Sequence, residues 1–133
     1  MAPASARALT LFLLLCCCSG AAVAASPRTD YLLYCGGCHL ENGSGDPPEI
    51  PDLRADIGRI VLRPGGRAFL AQVPGSSQAP ISDDRLAGVL NYIVREYARP
   101  EAPVEPFTGE EIGGYRSEVL LDPLRRREEI LGH

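Results

Sequence analysis

The sequence predicts a mostly α-helical fold. Three observations carry that expectation. Leu86, Val89, Leu90, Ile93, Val94 and Tyr97 recur at helical spacing, helix-starting residues stand at Ser26, Ser82, Thr108 and Asp122, and no stretch alternates apolar with polar residues as a half-buried strand would. The 133 residues support a single core. The formal charge is −4 and every fixed positive charge is an arginine, so the chain offers no basic surface for nucleic acid.

The first element is a leader. Arg7 is the only charge before Arg28, and the apolar run between them is short for a transmembrane helix. A charged start, an apolar stretch and a small-residue end at Ala22-Val23-Ala24 predict a secretory signal peptide over residues 1–25, cleaved so that the mature chain begins near Ser26. Export of this kind places the mature protein in the periplasm. Cys16, Cys17 and Cys18 leave with the leader, and the two cysteines that remain, Cys35 and Cys38, are too few for a disulfide framework. A lipid-bearing cysteine is the competing reading of the leader. The residues before the candidates are Leu15, Cys16 and Cys17 rather than small ones, so membrane association is not expected.

Ser26 with Pro27 predicts a helix start, followed by Tyr31, Leu32, Tyr34 and Cys35 on one side and a stop at Gly36-Gly37. The run between Glu41 and Asp52 is turn chemistry and reads as a loop wrapped over something. Residues 53–63 predict a helical turn or two carrying Leu53, Ile57, Ile60 and Val61, and residues 67–73 a second short helix ending before Pro74-Gly75. The main helix begins at Ser82, where Asp83 and Asp84 complement its positive end, and Arg99-Pro100 closes it after about four turns. An acidic, proline-rich strap follows to Pro106. Thr108 with Glu111 fits a capping box, and Asp122-Pro123 fits a cap with proline in the first turn, so two short helices end the chain.

One motif is specific: Cys35-Gly36-Gly37-Cys38-His39. Two thiols three positions apart on a helical turn can reach both vinyl groups of one porphyrin edge, and the next histidine then lies beneath the iron. A disulfide, a redox dithiol and half of a zinc site are the competing readings. A zinc site needs four ligands, and His133 is the one further Cys or His of the mature chain. A thioredoxin-like dithiol needs a βαβ surround that the pattern lacks. Export, helical pattern and the histidine's offset favour one covalent haem c, with His39 as the metal ligand.

Across residues 28 to 98 the chain resembles the small mono-haem c-type cytochromes of class I. The resemblance rests on the aromatic-bearing helix into the Cys35–His39 motif, on Gly43-Ser44-Gly45, on Pro51-Asp52-Leu53, and on the helix that includes Asn91-Tyr92-Ile93. It implies a cytochrome c-like small helical domain over residues 26–99, packed around the haem, with residues 100–133 as a strap and C-terminal helical extension. It also implies that a backbone carbonyl at Pro51 orients His39, which adds Pro51 to Cys35, Cys38 and His39 as cofactor-binding residues. Packing of the family's first and last helices would set Tyr31 or Tyr34 against Leu90, Ile93 or Tyr97.

One departure stands out. The family usually ligates the second face of the iron with a methionine followed by proline shortly before the last helix, whereas here Ala79 precedes Pro80 and the sole methionine is Met1. Gln78 reads as a polar loop residue and His133 as a solvated terminus, so the sixth ligand stays open. Arg54, Arg59, Arg63 and Arg67 read equally as propionate partners or as solvated surface, and Arg125 to Arg127 as a mixed-charge helix face. The function expected is electron transfer without catalytic residues, to or from a redox partner such as an exported dehydrogenase or a membrane oxidase complex. The alternative is a five-coordinate haem that binds a small ligand or reacts with peroxide, although the loop around Gln78 and Ala79 offers no acid or base for catalysis.

Overall fold

A computed structural model describes residues 25–132. The leader read over residues 1–25, Ala25 apart, lies outside the described residues, and so does His133. Among the described residues there are eight helices and no strand; Asp46 and Ile50 form one isolated antiparallel bridge.

Helix α1 (Pro27–Tyr34) starts where Ser26 accepts the Thr29 N–H, and α2 (Gly36–His39) follows as a single turn after Cys35. Asp52 caps α3 (Leu53–Ile60), whose Ile57 and Ile60 face the core. Helix α4 (Gly66–Gln72) can form only because position 66 is glycine, since a Cβ there would sit 1.7 Å from the Ile60 carbonyl oxygen. The one-turn α5 (Pro74–Ser77) leads to α6 (Asp83–Glu96), capped by Ser82. Thr108 accepts the Glu111 N–H to start α7 (Gly109–Arg116), and Asp122 accepts the Arg125 N–H to start α8 (Pro123–Leu131). All four predicted caps are thus occupied.

Helix α6 is the spine: α1 crosses one side of it and α7 packs along another, while α8 covers α3 and α4. The α1–α6 contact has two parts. Tyr31, fully buried, packs at a tilt against Tyr92 and Tyr97 with ring centroids 5.5 and 5.2 Å away. Asp30, also buried, takes both oxygens to Arg85 at 2.5 and 3.0 Å, a bidentate pair that leaves no uncompensated charge.

The segment after Pro100 is stitched to the rest. Asn91 on α6 accepts the Phe107 N–H at 2.7 Å and donates to its carbonyl at 3.0 Å, and Ile112 of α7 is fully buried. Arg67 binds the Glu111 carboxylate twice, at 2.5 and 2.6 Å, while its guanidinium lies 3.9 Å from the Phe107 ring centroid. No helix among the described residues is long and apolar enough to cross a membrane.

Candidate haem site

Cys35 closes α1, with its N–H donating to the Tyr31 carbonyl at 2.8 Å, and it also opens α2: its own carbonyl accepts from Cys38 at 3.2 Å and from His39 at 2.9 Å. That helical turn puts both sulfurs and the imidazole at one cleft, with Cys35 half-buried and Cys38 exposed. The two thiols are not joined. Burial pushes the Cys35 thiol up to about 11, with Cys38 and Asp30 adding to the rise. At that value Cys35 is a neutral thiol at pH 7, not a thiolate nucleophile. Among the described residues no group of three or more His, Cys, Asp or Glu is placed to hold a bare metal ion.

The loop after His39 bends back over it. Leu40 and Gly45 take positive φ values of 58° and 62°, the Gly45 N–H donates to the His39 carbonyl at 3.2 Å, and the Leu53 N–H donates to Gly43 at 2.8 Å. The closure brings the Pro51 carbonyl 3.1 Å from His39 Nδ1. A carbonyl oxygen only accepts, so Nδ1 carries the proton and Nε2 is left as the free lone pair. Burial lowers the His39 pKa, with the Pro51 bond opposing it more weakly, and the imidazole stays neutral as a metal ligand must. Two tyrosines hold the same loop from the core side: Tyr31 Oη donates to the Leu40 carbonyl and Tyr97 Oη to that of Glu41, each at 2.6 Å.

Cys35, Cys38, His39 and Pro51 therefore share one cleft. It holds a cavity of about 210 Å³ that opens to solvent. Its walls are apolar side chains of α3, α4 and α6, among them Ile57, Phe69, Leu70 and Ile93. The donor set and the cleft fit a flat macrocycle anchored by one edge: thiols and imidazole on one helical turn, hydrocarbon around them, and polar groups at the rim.

The rim separates the two readings of the arginines and changes that of Arg127. Arg54 pairs with Asp52 and Arg59 with Asp56, Arg67 is committed to Glu111, Arg63 is exposed, and none of the four lines the cleft. Arg127 does line it. It reaches from α8 to the Asp56 carboxylate at the cleft wall, while Arg125 and Arg126 make the mixed-charge face with Glu129 at 2.9 and 3.1 Å. The run of three arginines gave no sign of which one turns inward.

The loop before α6 also differs. Ala79, expected where a methionine would stand, is buried in the core and does not line the cleft; Gly75 and Ser76 do. Gln78 is exposed and away from it. A second tail arginine explains this geometry. Arg116 of α7 donates to the carbonyls of Ser77, Ala79 and Ile81 at 3.1, 2.7 and 3.0 Å and to Asp83 Oδ1 at 2.8 Å, fixing residues 77–83 against the tail.

No protein-family model matches the chain. It is similar to a cytochrome c-552 of Thermus thermophilus, at 32% identity over 134 residues that take in 86% of this chain and 88% of the relative. It is also similar to a second Thermus thermophilus cytochrome c-552, at 32% identity over 106 residues, 65% of this chain and 81% of that relative. With a helical fold built around a cleft that takes the thiols and imidazole of one Cys-x-x-Cys-His turn, the chain belongs to the c-type cytochromes, electron-transfer proteins with covalently bound haem c.

Proposed function

We propose that the chain is an exported one-electron carrier, secreted by way of residues 1–25 and working in the periplasm between protein partners, with an exported dehydrogenase or a membrane oxidase complex as the partner class. In this reading Cys35 and Cys38 form the two thioether bonds, His39 Nε2 ligates the iron, and Pro51 holds the imidazole's other nitrogen. The observation that carries it is the His39 Nδ1 to Pro51 oxygen bond of 3.1 Å beside two unjoined thiols at the mouth of an apolar cleft.

The bound haem supplies a one-electron iron couple. The chain's own residues do the rest. The Pro51 carbonyl fixes ring orientation and tautomer, which raises the ligand's basicity and limits rearrangement between oxidation states. The walls of α3, α4 and α6 keep water from most of the macrocycle, and exposed Cys38 marks the edge nearest solvent, where a partner can approach. Arg127, already at the rim with Asp56, is the arginine placed to meet a propionate. Residues 26–99 then form the haem-bearing domain, and residues 100–133 a strap and extension that brace it.

Stopped-flow mixing with reduced exported dehydrogenases and with a membrane oxidase tests the reading. Transfer faster than the partner's turnover is expected. Transfer slower than turnover with every partner of both classes would remove electron carriage as the function.

A further inference from the structure

We infer that the second axial position of the iron is a binding site for a small uncharged diatomic ligand, held open by Arg116. The inference rests on haem attachment at Cys35, Cys38 and His39 and goes beyond electron carriage.

The cleft side formed by α4 and α5 presents Phe69, Leu70, Val73, Gly75 and Ser76. These are hydrocarbon, a bare backbone and one hydroxyl. None is a sulfur, imidazole or amine donor of the kind that ligates haem iron strongly. Gly75 also leaves space, since a Cβ built there meets no atom within 4 Å.

Arg116 makes this arrangement more than a matter of composition. A mobile loop could swing Gln78 inward, but the carbonyls of Ser77, Ala79 and Ile81 are all held by one guanidinium, which is itself paired with Asp83 and largely buried. Ala79, whose carbonyl is one of the three, is itself buried in the core. The loop therefore contributes Gly75 and Ser76 to the cleft and withholds the rest.

The wall chemistry selects the ligand class. An apolar pocket penalises an anion that loses its hydration without gaining a partner, and accepts a neutral diatomic at little cost. Arg127 at the same cleft is paired with Asp56, and Asp52 with Arg54, so no unpaired cation lines the cleft to hold an anion. The Ser76 hydroxyl is the single polar group of the α4–α5 side and can donate to a bound diatomic.

The test is optical and magnetic spectroscopy of the purified holoprotein with carbon monoxide as probe, azide as the anionic comparison, and a pyridine haemochrome assay to establish that haem is attached. The inference expects a high-spin ferric resting state, carbon monoxide uptake by the ferrous form, and azide binding to the ferric form at least 100-fold weaker than to a solvent-open ferric haem peptide. His133→Ala should leave these spectra unchanged. Gly75→Met, which adds a thioether in the open space, should give a low-spin spectrum and slow carbon monoxide uptake by at least 100-fold. A wild-type protein that carries haem yet is low-spin in both oxidation states and refuses carbon monoxide overturns the inference and leaves electron carriage standing. Conversion of such a low-spin protein to high spin by His133→Ala overturns it too, by naming the ligand. Absence of haem would sink the underlying assignment along with it.

Discussion

Gly45→Ala is the substitution to which the site should be most sensitive without loss of any side-chain donor. Gly45 has φ +62°, and a Cβ added there would lie 2.4 Å from the Ile50 carbonyl oxygen and 2.7 Å from that of Pro51, the acceptor for His39. Moving the Ile50 oxygen out to 3.0 Å requires ~0.6 Å of backbone displacement. Both clashing atoms are main chain, so no side-chain rotation relieves them. An alanine in the left-handed region costs about 1 kcal/mol, and overpacking adds about 1–3 kcal/mol. The total of about 3 kcal/mol is a large fraction of the 5–15 kcal/mol typical of domain stability and converts to a fall in Tm of roughly 10–20 °C. The same displacement carries the Pro51 oxygen away from Nδ1, so the ferrous spectrum should shift together with the melting temperature. Gly114→Ala, at an exposed position of α7 where an added Cβ meets nothing within 4 Å, is the control and should match or slightly exceed the parent. The assay is thermal unfolding of the holoproteins by far-ultraviolet circular dichroism, read beside the haem spectrum. A Gly45→Ala protein melting within about 2 °C of the parent with an unchanged spectrum would refute the reasoning.

Three further outcomes are expected. Ile112→Ala empties a fully buried position between α7 and the core and should cost about 2–5 kcal/mol in chemical denaturation with a single transition, whereas an early separate transition would mean that the tail folds apart. Arg67 holds the Glu111 carboxyl below its usual 4.5, so the pair stabilises fully above that value and its contribution is lost as pH falls through the lower folded value. Glu111→Gln should then lose about 1 kcal/mol at pH 7 and show a shallower decline than the parent below pH 4.5 in unfolding titrations. Arg127→Gln removes the cation at the cleft rim and leaves Asp56 without it, so the reduction potential should fall by on the order of tens of millivolts in redox titration, and an unchanged potential would place Arg127 away from the macrocycle's charge.

Much of the fold was legible because helix starts are local chemistry. Ser26, Ser82, Thr108 and Asp122 each use a short side chain on a nearby N–H, a pattern complete within three residues. Pro51 was legible only through family resemblance, since nothing local says which loop carbonyl will meet a histidine twelve positions earlier. The tail arginines were not legible at all. Arg116 works through carbonyls of a loop more than thirty residues away, and carbonyls are present at every position, so no sequence pattern marks its target. Arg127 differs from its two neighbours only by its direction on α8. The part of this loop that meets the cleft was not legible either: the proline after Ala79 matches a family spacing, while Gly75 and Ser76, on the one-turn α5, are the residues that line the cleft. The tyrosine cluster was half legible. Tyr31 or Tyr34 was expected to pack on the last helix, and the use of the Tyr31 hydroxyl, with that of Tyr97, to hold the loop after His39 depended on geometry that only the folded chain supplies.

The most direct measurement is the intact mass of the purified protein, isolated from a host that matures c-type cytochromes, with peptide mapping of the segment around Cys35. The account predicts one haem per chain that survives denaturation, attached through both Cys35 and Cys38. A colourless protein of bare polypeptide mass, or one whose haem dissociates on denaturation, would contradict it.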